Sequence, residues 1–224
     1  MNTCNFVLER VADPEGEPVS LAEMKRHLKM FSQITDQDDD IKSLISGARE
    51  WVEDFTGRAL MEQTWRLTLQ GRCGAFAGGD IVGGTRDGAL PVGYGYYQGL
   101  YSFGRYGEIM LRRSPVLEIT SFASIDSAGA ETAINAATYE LRDATSKWPR
   151  IVALNGATWS TCMTGDLRIE FKAGYFDDIV PQRFKWAMKL WVEANFDRDK
   201  DIMALLIQQA ENMMRLERCD LQIA

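Results

Sequence analysis

Arg49-Glu50-Trp51-Val52-Glu53-Asp54-Phe55-Thr56-Gly57-Arg58-Ala59-Leu60, continued after two residues by Gln63-Thr64-Trp65-Arg66-Leu67-Thr68-Leu69, contains the change of period that decides the fold. Up to Phe55 the apolar residues Ile41, Leu44, Ile45, Ala48, Trp51, Val52 and Phe55 recur at helical spacing. That spacing predicts a long helix from about Gln37 to Thr56 with one buried face. Gly57 can take the left-handed conformation that stops a helix. Beyond Leu60 the period falls to two, Trp65, Leu67 and Leu69 alternating with Arg66 and Thr68, as in a half-buried strand.

Working outward toward the N-terminus, Pro18-Val19-Ser20-Leu21-Ala22-Glu23 opens a shorter helix. Ser20 is a good N-cap, Glu23 sits at the capping-box position, and Val19 with Met24 can form a hydrophobic staple. Leu21, Met24, Leu28 and Phe31 keep helical spacing until the polar stretch Ser32 to Asp38 ends it. Toward the C-terminus, strand patterns occupy Glu108 to Arg112, Val116 to Ile125 and Asp166 to Lys172, with shorter ones at Tyr139 to Arg142 and Ile151 to Leu154. Turn chemistry at Ser127-Ala128-Gly129 and Asn155-Gly156 favours an antiparallel meander or small sandwich. Pro181 then begins a third long helix carrying Phe184, Ala187, Met188, Trp191, Val192 and Asn195, and a fourth runs from Ile202 to Cys219 after the charged break Asp197 to Asp201. The expected class is α+β: a helical bundle of N- and C-terminal helices with an inserted antiparallel sheet or small sandwich. The expected parts are residues 1–60, an inserted β domain 61–178 and C-terminal helices 179–224.

The 224 residues carry a net charge of −7 and a pI near 4.9, with 46% hydrophobic and 25% charged residues. This composition suits a globular chain and opposes generic phosphate-backbone binding, which needs clustered Lys and Arg. No run approaches the roughly 18 apolar residues of a membrane span, and the first residues lack a signal-peptide pattern. The sequence therefore predicts a soluble chain made in its host's cytosol, with no membrane partner. Cys4, Cys73, Cys162 and Cys219 form no C-x-x-C pair, which points to reduced thiols rather than a zinc or redox site.

Signals for chemistry are sparse. The single histidine, His27, lies beside Lys25, Arg26 and Lys29 and reads as a boundary residue on a basic helix face. There is no nucleophile elbow, P-loop or H-E-x-x-H pattern. Asp38-Asp39-Asp40 resembles a metal cluster, but acidic residues in a first helical turn complement the helix dipole. Gly93-Tyr94-Gly95 begins like a dinucleotide fingerprint, yet Gln98 stands at the third glycine position. No catalytic, cofactor-binding or metal-binding residue is predicted, and the chain is not expected to be an enzyme. Two readings of another class stay open: a carbohydrate-binding module, and a hydrolase whose carboxylates meet only in the fold.

Between Gly71 and Gly107 lie twelve of the nineteen glycines and five of the seven tyrosines, Tyr94, Tyr96, Tyr97, Tyr101 and Tyr106. Permissive backbone with amphipathic rings is the mix used by adaptable binding loops, and these tyrosines are candidates for an inter-subunit or neck contact. A long hairpin insertion is the plainer alternative.

Several stretches together resemble the phage head-tail connector proteins, also called head-completion or neck adaptor proteins, and are similar to the adaptor of gene transfer agents. They are Glu17-Pro18-Val19-Ser20-Leu21-Ala22-Glu23-Met24-Lys25, Asp40-Ile41-Lys42-Ser43-Leu44-Ile45, the stretch from Arg49 to Leu67, Arg113-Ser114-Pro115-Val116, Phe171-Lys172-Ala173-Gly174-Tyr175 and Val180-Pro181. The Gly/Tyr-rich segment is longer than the family's usual connection. The resemblance implies a homo-oligomeric ring of twelve copies in the virion neck, assembled in a bacterial cytoplasm. It sits between the portal protein and a stopper, tail-completion or tail protein, with genome DNA passing through the lumen without sequence-specific binding. It further implies portal docking by the C-terminal segment, for which Leu205, Leu206, Met213, Met214, Leu216, Leu221 and Ile223 supply apolar side chains. A stopper or tail-completion protein is the nearest alternative within the neck.

Overall fold

The computed structural model describes residues 6–69, 103–104, 108–154, 166–175, 179–196 and 200–219. The chain belongs to the α+β class and divides into two compact units, a sheet unit and a helical unit, the latter drawn from both ends of the chain.

The helical unit comprises residues 13–63, 113–115 and 173–224. Its helices are α1 (Leu21–His27), α2 (Asp38–Thr56), α3 (Gln182–Phe196) and α4 (Lys200–Met214). At the start of α1 the Ser20 hydroxyl accepts the Glu23 N–H at 3.2 Å, the N-cap bond expected from the sequence. Val19 and Met24 are fully buried beside it. α2 buries Ile41, Ile45, Ala48 and Val52 in one apolar core with Phe184, Met188 and Val192 of α3 and Ala210 and Met214 of α4. Gly57 ends α2 at φ 71°, where a side chain would be strained. Trp51 stacks on Phe55 at 5.8 Å and lies 6.3 Å from Trp191, packed against the core while remaining half-buried.

One expectation fails here. Phe31 does not lie on the inner face of α1, because the helix stops at His27 and Phe31 is 74% exposed. The stop is a Schellman turn: the Met30 N–H reaches the Lys25 carbonyl and the Lys29 N–H reaches the Arg26 carbonyl. Lys29 takes the left-handed position at φ 56°, where glycine is usual, so helical spacing carries on in the sequence past the point where the helix ends.

The sheet unit comprises residues 1–12, 64–112 and 116–172. Its strands are β1 (Phe6–Ala12), β2 (Gln63–Leu69), β3 (Phe103–Gly104), β4 (Glu108–Met110), β5 (Val116–Ile125), β6 (Glu131–Ala133), β7 (Tyr139–Arg142), β8 (Arg150–Ala153) and β9 (Asp166–Ala173). One sheet has the order β1-β2-β9-β5-β6 and the other β3-β4-β8-β7. β1 pairs antiparallel with β2, Phe6 opposite Leu69 and Arg10 opposite Trp65, with a register shift after Arg10. In β9 the odd residues Leu167, Ile169, Phe171 and Ala173 are buried. Its even residues carry ion pairs across the other face: Glu170 with Arg66 at 2.8 Å, Arg168 with Glu131 at 3.2 Å and Lys172 with Glu118 at 2.9 Å. Phe122 of β5 meets Tyr139 of β7 edge to face at 5.2 Å, bringing the two sheets into contact. The predicted turn at Ser127-Ala128-Gly129 is held by Asp126, whose carboxylate accepts the Ala128 and Ala130 N–H groups at 2.8 Å.

Candidate functional site

Three places in the helical unit concentrate polar or exposed apolar side chains. The first is the junction after α2. Glu53, on the last turns of that helix, is buried, and its Oε1 accepts the Leu60 N–H at 2.7 Å and the Gln63 side-chain amide. Its Oε2 accepts Arg49 Nη1 at 3.1 Å, and Arg49 in turn donates from Nε to Glu17 at 3.0 Å. Burial pushes the Glu53 carboxyl above the usual carboxylate range against the opposing pull of the Leu60 N–H and Arg49, and burial likewise raises Glu17. Below this network, Gly174 runs so close to Met61 that a Cβ would overlap the Met61 backbone. Arg58 donates to the Tyr175 hydroxyl at 2.9 Å and pairs with Glu217 at 3.1 Å, while Glu217 also accepts Arg183 at 2.6 Å. These contacts tie the end of α2 to residues 60–63 and Arg58 to Tyr175 and Glu217, so the junction works as a structural lock.

The second place is the loop between α1 and α2. Lys25, with only 7% of its side chain exposed, is paired with Asp38 and donates to the carbonyls of Ser32 and Ile34. A buried ammonium is costly unless it is paired and hydrogen-bonded, and here both conditions hold. The result is a pinned loop that presents Phe31 and Ile34 to solvent. An open cleft of about 650 Å³ lies beside it, lined by Leu21, Ala22, Lys25, Arg26, Met30 and Phe31 together with Ser32, Gln33 and Asp38. Sequence reasoning missed Lys25; a lone lysine in a basic helix carries no sign of burial.

The third is α4. The seven residues expected to dock outward do not share one environment. Met214 is fully buried and Leu206 packs on the core, so this pair holds α4 to its own bundle. Of the seven side chains expected to dock on the portal, Met214 and Leu206 are therefore corrected to core-packing positions. Leu205, Met213 and Leu216 are exposed, together with Ile202. Leu221 and Ile223 lie outside the described residues, as do Tyr94, Tyr96, Tyr97, Tyr101 and Tyr106.

His27 Nε2 lies 3.0 Å from Glu193, its ring edge-on to Trp186 at 5.8 Å, so the histidine ties α1 to α3. In the acidic first turn of α2, Asp39 pairs with Lys42 at 2.9 Å. Among the described residues no group of three His, Cys, Asp or Glu side chains is arranged to hold a metal ion, and no helix is long and apolar enough to cross a membrane.

No family model matches the sequence, and no curated protein matches it. Solved structures do. The fold is similar to a chain in the virion of a native gene transfer agent particle, with TM-score 0.62 and 23% identity, covering 91% of this chain and 94% of that one. It is similar to a chain in the neck of an empty gene transfer agent particle computed with C6 symmetry, with TM-score 0.61, 23% identity and the same coverage. A chain in the neck of the native particle computed with C12 symmetry gives TM-score 0.59 and 22% identity. At these identities the likeness establishes a shared fold over nearly the whole of both chains.

Proposed function

We propose that this chain is a structural subunit of the neck of a tailed phage or gene transfer agent-like particle. In that reading it forms a ring between the portal and the downstream neck or tail proteins, and DNA passes through the ring. The observation that carries the reading is the fold shared over 91% of the chain with chains of gene transfer agent necks and virions, some computed with cyclic symmetry. The acidic composition supports it: twelve copies at −7 would total about −84, and a lumen of that sign does not retain phosphates.

Within this reading the exposed Leu205, Met213 and Leu216, continued by Leu221 and Ile223, are proposed to meet the portal, and the five loop tyrosines to meet a neighbouring subunit or neck protein. Twelve copies multiply a weak contact by avidity.

The test is location and stoichiometry. Antibody labelling and averaged images of purified particles are expected to place the chain at the head-tail vertex in a ring of twelve. A position nearer the tail with a different copy number makes it a stopper or tail-completion protein. Absence from particles, or a monomer that binds glycans in an array, overturns the reading.

A further inference from the structure

We infer that the cleft beside α1 is a docking site for an acidic amphipathic segment of a protein partner. Its lining decides the chemistry. Leu21, Ala22, Met30 and Phe31 give apolar walls, and a volume of about 650 Å³ is of the size that accepts a few side chains. Lys25 and Asp38 both line the cleft, and each satisfies the other, so that pair adds no net charge. The charge left over is basic. Arg26 lines the cleft, and Lys29, which does not line it, directly precedes Met30 of its lining; both are exposed, and among the described residues neither forms an ion pair. Asp36 and Asp40 do not line the cleft, and Asp39 is occupied by Lys42. An apolar cleft with one free arginine in its lining and a lysine next along the chain is complementary to an apolar side chain flanked by carboxylates.

The loop is also built in advance of binding. Phe31 keeps 74% of its surface in water on a segment that Lys25 holds by two carbonyls and a carboxylate. A partner therefore meets a ring already in position and does not have to order the loop, and an exposed aromatic on a rigid support is the usual anchor of a protein contact.

The test uses the full chain and two labelled synthetic helical peptides of about three to four turns. One carries Leu at helical spacing with Glu elsewhere, and the other replaces each Glu by Lys. Fluorescence anisotropy is expected to show the Glu peptide binding at least about tenfold more tightly than the Lys peptide, with the advantage shrinking as salt is raised. The R26E/K29E double variant is expected to reverse the preference, and Phe31→Ala to weaken both peptides. Because all three side chains are exposed, unchanged thermal unfolding should accompany these effects. Equal binding of the two peptides, no binding of the Glu peptide, or indifference to R26E/K29E overturns the proposal. Sedimentation of the same variants covers the remaining occupant: if they dissociate the chain's own oligomer while leaving peptide binding unchanged, the cleft joins two copies and the acidic partner is excluded. None of these outcomes depends on the neck reading, which location in particles tests separately.

Discussion

At its C-terminal end α2 runs into Gly57, a buried Glu53 that holds Leu60 and Gln63, and a Gly174 pressed against Met61. Its N-terminal end starts from Gln37, which makes no side-chain cap bond, below a loop that leaves Phe31 and Ile34 in water. Both ends bury a charged side chain, Glu53 at one and Lys25 at the other. The uses differ. Glu53 ties backbone to backbone inside the fold, whereas Lys25 spends its hydrogen bonds on holding apolar residues outside it. The first arrangement determines whether the unit folds, and the second determines what its surface offers.

The contrast can be broken most sharply at Gly174. Gly174→Ala places a Cβ inside the Met61 backbone at φ 139°, and is expected to cost more than about 4 kcal/mol in urea unfolding or to abolish folding. Near-normal stability would mean that the junction is not rigid. Glu53→Gln comes next, at about 1–3 kcal/mol, through mismatched hydrogen bonds around Arg49. Its pH dependence has a definite sign. Burial raises the folded-state Glu53 carboxyl, so the stability it contributes is complete below the ordinary carboxylate range and is lost as pH rises through the raised value. The penalty of Glu53→Gln should therefore shrink as the pH of the urea titration rises from about 4.5 toward neutrality; a growing penalty would show that the ion pair outweighs burial.

At the other end the effects are smaller and local. Lys25→Met should cost about 1–2 kcal/mol and open the 31–37 loop to limited proteolysis while α2 and α3 stay protected. Lys29→Gly should stabilise the unit by about 1 kcal/mol, since it removes a side chain from left-handed backbone at φ 56°. Phe31→Ala should move stability by no more than about 0.5 kcal/mol, because a ring 74% exposed contributes little to the core. A large loss on Phe31→Ala would erase the distinction between the two ends.

Much of this arrangement is readable in consecutive residues. The span of α2, its stop at Gly57, and strands β5, β7 and β9 follow from periods of 3.6 and 2, because a helix or strand with one buried face must repeat its apolar residues at its own pitch. β1 escaped that reading: in Phe6–Ala12 most side chains are exposed, so no alternation marks the strand. The end of α1 escaped it because a left-handed lysine does the work of a glycine. On α4 the spacing made Leu205, Leu206, Met213 and Met214 look equivalent, and only packing on α3 and α2 separates the buried members from the exposed ones. The locks were beyond any local pattern. Glu53 is buried because residues 49, 60 and 63 converge on it, with residue 17 holding Arg49 in turn, and Lys25 because residues 32, 34 and 38 fold back over it. Periodicity is a property of neighbours along the chain, whereas the cost of burying a charge is met by groups that only the folded chain brings together.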